Sequence, residues 1–265
     1  MHRVVAFVFL VASLAAAPPA DAAEATVFLE EMTWTEVRDA VAAGRTTAIV
    51  PVGGTEQSGP HMALGKHNVR AHALAGRIAE RLGNALVAPV VAYVPEGDVA
   101  GAGGHIRFAG TISVAPAAFR GVLDGAARSL RRAGFRDIVL IGDHGGYQAD
   151  LAAVAAKLNR EWAATAIRVH FVSEYYEAQA APFAAALRQR GLSEAQIGTH
   201  AGSADTALTL AVDPRLVRAD RQALPPVAAD GTYGDPRPAT AALGQLGVDL
   251  IVRASVNAIR KAAVR

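Results

Sequence analysis

Four short apolar stretches, each followed by a polar cluster and then by a segment of helical periodicity, constrain this chain more than any other feature. TTAIVPVG (46–53), ALVAPVVAYV (85–94), DIVLIGD (137–143) and AIRVHFVS (166–173) read as strands, the second weakened or bent by Pro89. Apolar residues recur at helical spacing over 68–83, 116–134 and 148–164, and helices are expected near 178–190, 203–211 and 240–262. Strands without a polar face cannot lie on solvent. Alternating with amphipathic helices, they predict an α/β fold whose mostly parallel sheet is covered on both faces. No repeat or linker divides the chain, and 227–240 is a Gly/Pro/Asp-rich loop, either a surface excursion or a functional lid.

Hydrophobic residues make up 52% of the 265 and charged residues 19%, which suits a compact globular enzyme. With 26 Lys and Arg against 24 Asp and Glu, the net charge of +2 gives no footing for a nucleic-acid partner, and Arg128–Arg132 has the spacing of a solvated helix face. There is no cysteine, so disulfides, thiolate zinc sites and iron–sulfur clusters are excluded, and any metal must be held by His, Asp, Glu or water. The first 22 residues carry a basic start, an apolar run from Val4 to Ala17 and the small-x-small pattern Ala20-Asp21-Ala22. That run falls short of the ~20 residues that span a bilayer. It reads as a cleaved secretory signal, 1–22, leaving one domain over 23–265 that is exported to the periplasm or secreted. No other segment reads as long and apolar enough to span a membrane.

In open parallel sheets, ligands bind beyond the carboxyl ends of the strands. The ionisable residues gather there. Glu56, His61 and His67 follow the first strand, Glu96 to His105 the second, Asp143 and His144 the third, and Glu174 and Tyr175 the fourth. Glu56 can be a metal ligand, a general base or a capping acid. His144, before two glycines and a helix, can be a ligand or a histidine satisfied by a neighbouring carboxylate. His200 precedes a turn and a helix carrying Asp205, which can complement the helix dipole or bind metal. His105 is a further candidate, whereas His2, His72 and His170 read as non-functional. HExxH, G-x-S-x-G and the P-loop pattern are absent, which removes the usual support for zincin, serine-hydrolase and nucleotide-binding readings.

Five segments, in order, resemble the creatininase-like metal-dependent amidohydrolases. PVGGTEQSGPHMALGKHN resembles the family's P-x-G-S-x-E-Q-H-G-P-H-L-P-L-x-T-D loop, and HIRFAGTIS its H-x-x-F-P-G-T segment. GDHGG, HAGSADT and YGDPRPAT resemble N-G-H-G-G, H-A-G-E-x-E-T and G-D-P-x-x-A-T. The resemblance implies a three-layer α/β/α fold, a homo-oligomer (often a hexamer) and one or two divalent ions, zinc first, with manganese or iron as alternatives. It implies hydrolysis of an amide bond in a small-molecule substrate, often a cyclic one. By position, Glu56 and His144 match metal ligands, His200 matches a histidine near the substrate and a proton shuttle, and Asp205 replaces a glutamate. Ser58 stands where the family has a metal-binding histidine, His67 where it has a bridging aspartate, and Gly146 where some members have a glutamate. Serine is a poor zinc ligand and imidazole cannot bridge two metals as a carboxylate does. The expected set is therefore Glu56, His67, His144 and Asp205 on one ion, with Glu56 and His200 catalytic. Ser58, His61, His105, Asp143, Tyr147 and Glu174 would surround them, with specificity in the loops at Glu96–His105 and Glu174–Tyr176. The alternative is a non-catalytic metal- or small-molecule-binding protein of the same fold.

Overall fold

The computed structural model describes residues 26–101 and 103–263; the signal read over 1–22 lies outside them. Four parallel strands, β1 (Thr47–Val52), β2 (Ala85–Val87), β3 (Asp137–Gly142) and β4 (Arg168–Phe171), form one sheet in the order β2-β1-β3-β4. The helices are α1 (Trp34–Ala42), α2 (Lys66–Leu82), α3 (Pro116–Arg132), α4 (Gln148–Glu161), α5 (Glu174–Gln179), α6 (Ala181–Arg188), α7 (Glu194–Ile197), α8 (Ser203–Val212), α9 (Ala219–Gln222) and α10 (Ala241–Ala263).

Alternation along the buried strands feeds two cores. Ile49, Val139 and Ile141 face Leu74 and Ile78 of α2, Phe183 of α6 and Val248, Ile251 and Val256 of α10. Ala48, Val50, Ile138 and Leu140 face Phe119 and Leu123 of α3 and Leu151, Val154 and Leu158 of α4. The sheet is thus the middle of three layers, an α/β/α arrangement.

Several expected elements differ in extent. The second strand keeps only Ala85–Val87 in the ladder. Pro89 has no N–H to give, and the segment rejoins β1 at one bridge, Val52 to Val91. The helix expected near 178–190 is two, broken at Ala180 (φ −81°, ψ −106°) just ahead of Pro182. α2 starts at Lys66, which brings Lys66 and His67 into the helix. The reading that nothing beyond the N-terminus could span a membrane is corrected by α10, whose 23 residues are long and apolar enough. That stripe is spent on packing against α8, α5 and α2.

The topology fixes where a site can lie. From β1 the chain runs outward to β2, then crosses to the other side of β1 to make β3. The two connections diverge at the carboxyl ends of β1 and β3, which opens a crevice there.

Candidate active site

β1 leaves the sheet through Gly53 and Gly54 and delivers Glu56 to the crevice. Gly54, at φ +148°, donates its N–H to Asn68 Oδ1 at 2.9 Å. A Cβ on Gly54 would lie 2.7 Å from Glu96 Oε1, so the bare backbone is what lets Glu96 close over this turn. Glu56 is fully buried. Its Oε2 lies 3.3 Å from His67 Nε2 and 3.7 Å from His144 Nε2, and its Oε1 lies 3.2 Å from His105 Nδ1.

β3 delivers Asp143 and His144. The His144 N–H donates to the Tyr147 hydroxyl at 3.0 Å, and that hydroxyl reaches the Val52 and Gly53 carbonyls at 2.9 and 2.7 Å. Tyr147 thereby ties the exit of β3 to the exit of β1. His144 Nδ1 accepts from the Gly146 N–H at 3.2 Å and lies 3.6 Å from Glu96 Oε1. Asp143 is buried and accepts from Arg70 Nη2 at 2.6 Å and Tyr175 Oη at 3.1 Å, with His67 Nδ1 at 2.7 Å.

The first two turns of α2 add two cations that the sequence reading did not single out. Lys66 and Arg70 are 1% and 2% exposed, and both reach Asp205. Lys66 Nζ pairs with Asp205 Oδ2, and Arg70 Nη1 lies 2.6 Å from Oδ1. The signal was present: positions 66, 67 and 70 continue the stripe of Ala71, Leu74 and Ile78, so charged side chains stand on the buried face of the helix.

These surroundings set the charges. Burial pushes Glu56 up, but the His67 hydrogen bond and the charges of His144 and Lys66 prevail and bring it to about 2. Burial, helped by Glu56, pushes Glu96 up to about 8. Burial holds His144 down at about 4, with His67 adding to it, and holds His200 at about 4, with Lys66 adding to it. Against burial, Lys66 and Arg70 hold Asp205 well below the carboxylate range.

Above this floor opens a cavity of about 440 Å³, bordered by Lys66, His67, Arg70, His144, His200 and Asp205, with Tyr176 and Leu208 among its walls. His200 Nε2 lies 2.9 Å from the Gln57 carbonyl, and the Gln57 amide nitrogen is 2.5 Å from His105 Nδ1 and 3.2 Å from His200 Nε2. The 227–240 loop reaches this edge too: the Tyr233 N–H donates to the His200 carbonyl at 2.8 Å.

The structure therefore gathers Glu56, His67, His105, Asp143, His144, His200 and Asp205 around one crevice. Ser58 is buried close by in sequence, its Oγ without a hydrogen-bond partner. His61 is buried on Thr206, 2.9 Å from its hydroxyl, and Tyr147 serves the scaffold. Glu174 is exposed on α5 and does not line the cavity, which corrects its expected place. Among the described residues, two groups bring three donor atoms within 4.8 Å of one another: Glu56, Glu96 and His144, and Glu56, His105 and His200. The expected grouping is corrected as well. Asp205 is absent from both groups, held by two cations, and Glu96 takes a place the sequence reading did not give it.

The family profile of creatinine amidohydrolase (creatininase) matches residues 30–259. This chain belongs to the creatininase family. The creatinine amidohydrolase of Pseudomonas putida is 30% identical over 259 residues, spanning 89% of this chain and 97% of that protein. A mycofactocin precursor peptide peptidase of Mycolicibacterium smegmatis is 40% identical over 118 residues, 43% of this chain and 45% of its own. A mutant creatininase described as Zn–Zn type, 30% identical, superposes with a TM-score of 0.74 over 90% of this chain and 99% of its own.

Two of the departures from the family pattern, Gly146 and His67, have a visible local setting. A side chain at Gly146 would put Cβ 2.9 Å from His144 Cε1, so the ring and a glutamate compete for one space. His67 turns one nitrogen to Asp143 and the other to Glu56. Both ring nitrogens therefore face protein groups, with Arg70 Nη2 also 3.3 Å from Nδ1, so the ring is engaged on both edges. The donors that remain still suit a cation. Glu56 Oε1 and Glu96 Oε1 are buried without hydrogen-bond partners, and two buried carboxyl groups facing one imidazole are a donor set for a divalent ion.

Proposed function

We propose that this chain is a metal-dependent hydrolase of amide bonds in a small-molecule substrate, non-peptide C–N bonds and cyclic amides first. The observation that carries the reading is Glu56: fully buried, ionised, with an open oxygen, and set against His144 below a cavity of small-molecule size. Glu56 and His144 would hold the ion, with zinc the first choice and manganese or iron as alternatives. When bound, such an ion polarises an amide carbonyl and acidifies water toward neutrality.

The chain's own groups do the rest. Glu56 stays ionised at neutral pH, so it can hold a cation or accept a proton without first giving one up. His200 is neutral there and hydrogen-bonds through Nε2 to the Gln57 carbonyl, which leaves Nδ1 free to receive a proton and pass it to a leaving nitrogen. Lys66 and Arg70 keep Asp205 charged at the cavity edge, where it can orient a polar substrate group.

The test uses Glu56→Ala and His144→Ala, singly and together. Each single variant should lose most bound zinc and at least ~100-fold in kcat/KM on a panel of lactams and cyclic amides, and the pair should lose both entirely. The panel includes short peptides, because one relative is named a peptide peptidase. Zinc retained by the double variant would overturn the site assignment.

A second reading rests on the changed positions Ser58, His67 and Gly146: a metal- or small-molecule-binding protein that does not hydrolyse. Stoichiometric metal without chelator-sensitive turnover would favour it. With either reading we propose export through residues 1–22 and assembly as a homo-oligomer, a hexamer by family resemblance.

A further inference from the structure

The family relative with a Zn–Zn centre sets a question that the donors of this chain answer differently. Of the family's ligand positions, Ser58 offers a poor ligand, His67 is engaged by two carboxylates and Gly146 offers nothing. In their neighbourhood stand the buried carboxyl groups of Glu56, Glu96 and Asp143 and the buried cations Lys66 and Arg70.

Glu96 is built into its place. Its N–H donates to Ser113 Oγ at 2.9 Å, and Ser113 Oγ donates to the Gly97 carbonyl at 2.6 Å, which fixes the turn. Gly54 makes way for its carboxyl group. Its side chain is 1% exposed, and Oε1, 3.6 Å from His144 Nδ1, has no hydrogen-bond partner. A protein that fixes a buried carboxyl group beside a second one, with an imidazole between them, incurs a desolvation cost that a cation offsets. The other donor group is already occupied. Gln57 engages His105 Nδ1 through its amide nitrogen and His200 Nε2 through its backbone carbonyl. Beyond His67, Lys66 and Arg70 are paired with Asp205 and Asp143, so those two carboxylates are taken by the protein's own cations. A further ion would find few open donors there.

We infer that this chain carries a one-ion centre, in which Glu96 joins Glu56 and His144 as a ligand, while Asp143 and Asp205, held by Arg70 and Lys66, are closed to a second ion. This rests on the metal-dependent reading of the site.

The full-length mature protein is stripped with a chelator, reloaded with zinc and separately with manganese, and assayed for metal per chain. Affinity is read by competition with a chromophoric chelator. One ion per chain is expected. Glu96→Gln should lower zinc affinity by more than ~100-fold, beyond the usual effect of losing a group behind a ligand. Glu96→Asp, which keeps the charge and shortens the reach, should bind with intermediate affinity. Circular dichroism and thermal unfolding of the metal-free variants separate ligand loss from misfolding. Two ions per chain, or a folded Glu96→Gln with unchanged affinity, overturns the inference and leaves amide hydrolysis standing. Glu96-dependent binding of one ion, without turnover on any amide, upholds the inference and overturns the hydrolase.

Discussion

Glu96 shows how one buried side chain can set the pH response of the metal-free protein. Its carboxyl group titrates near 4.5 when unfolded and near 8 when folded. Between those values the native state holds a proton that the unfolded state has released, so stability falls as pH rises. His61, His144 and His200 act oppositely. Their folded values near 4 lie below the unfolded 6.5, so the unfolded state binds the extra protons and stability rises from pH 4 to 6.5. At pH 6.5 the three unfolded histidines are still about half protonated, so the Glu96 contribution prevails only from about pH 7 upward. The unfolding free energy of the metal-free protein should therefore decline from about pH 7 to 8, and Glu96→Gln should flatten that decline. A chemical-denaturation series at half-unit pH steps reads the slope. At this scale Glu56 and His144 were marked by their types and their place after apolar runs, and His200 by its place before a turn and helix. The sequence gave no sign that Glu96 would lie beside Glu56 and His144, because only the bare backbone of Gly54 brings that carboxyl group in.

At the scale of elements, α2 carries an ionic network on a face that would otherwise be apolar. Arg70 donates to Asp143 through Nε and Nη2 and to Asp205 through Nη1. Removing it leaves two carboxylates with less compensation, so Arg70→Ala should cost about 3–5 kcal/mol in urea unfolding, the usual penalty for breaking a buried pair. The junction of α8 and α10 makes a second demand. A Cβ on Gly244 would lie 1.8 Å from the Ala207 carbonyl oxygen, and one on Gly247 would lie 2.6 Å from Leu208. Gly244→Ala must force the helices apart, and a loss of about 2 kcal/mol or more is expected by the same measurement. The periodicity that predicted these helices says nothing of the clearance between them, which depends on how two elements cross.

For the whole molecule, binding and stability are linked. An ion that binds only the folded chain stabilises it by about 2.7 kcal/mol at a hundredfold excess over Kd. For a domain of this size that corresponds to a rise in Tm of roughly 5–10 °C. Calorimetry with and without zinc should show this rise in the parent protein and little of it in Glu56→Ala.

The sequence by itself determined the class of the fold. Strands with no polar face require cover on both sides, and the order of strand and helix requires parallel crossovers. It also determined that many of the ionisable side chains gather at strand ends, because charged groups cannot lie within such a sheet. Tertiary structure alone decided which of those side chains meet. Glu56 and Glu96 are forty residues apart in the chain and share one space, while Asp205, expected on one ion with Glu56, His67 and His144, is claimed by Lys66 and Arg70. Hydrophobic pattern is a property of neighbours along the chain. The pairing of charges is a property of distance in space, and in a buried crevice a few ångströms decide whether a carboxylate faces an ammonium or stands open to a metal.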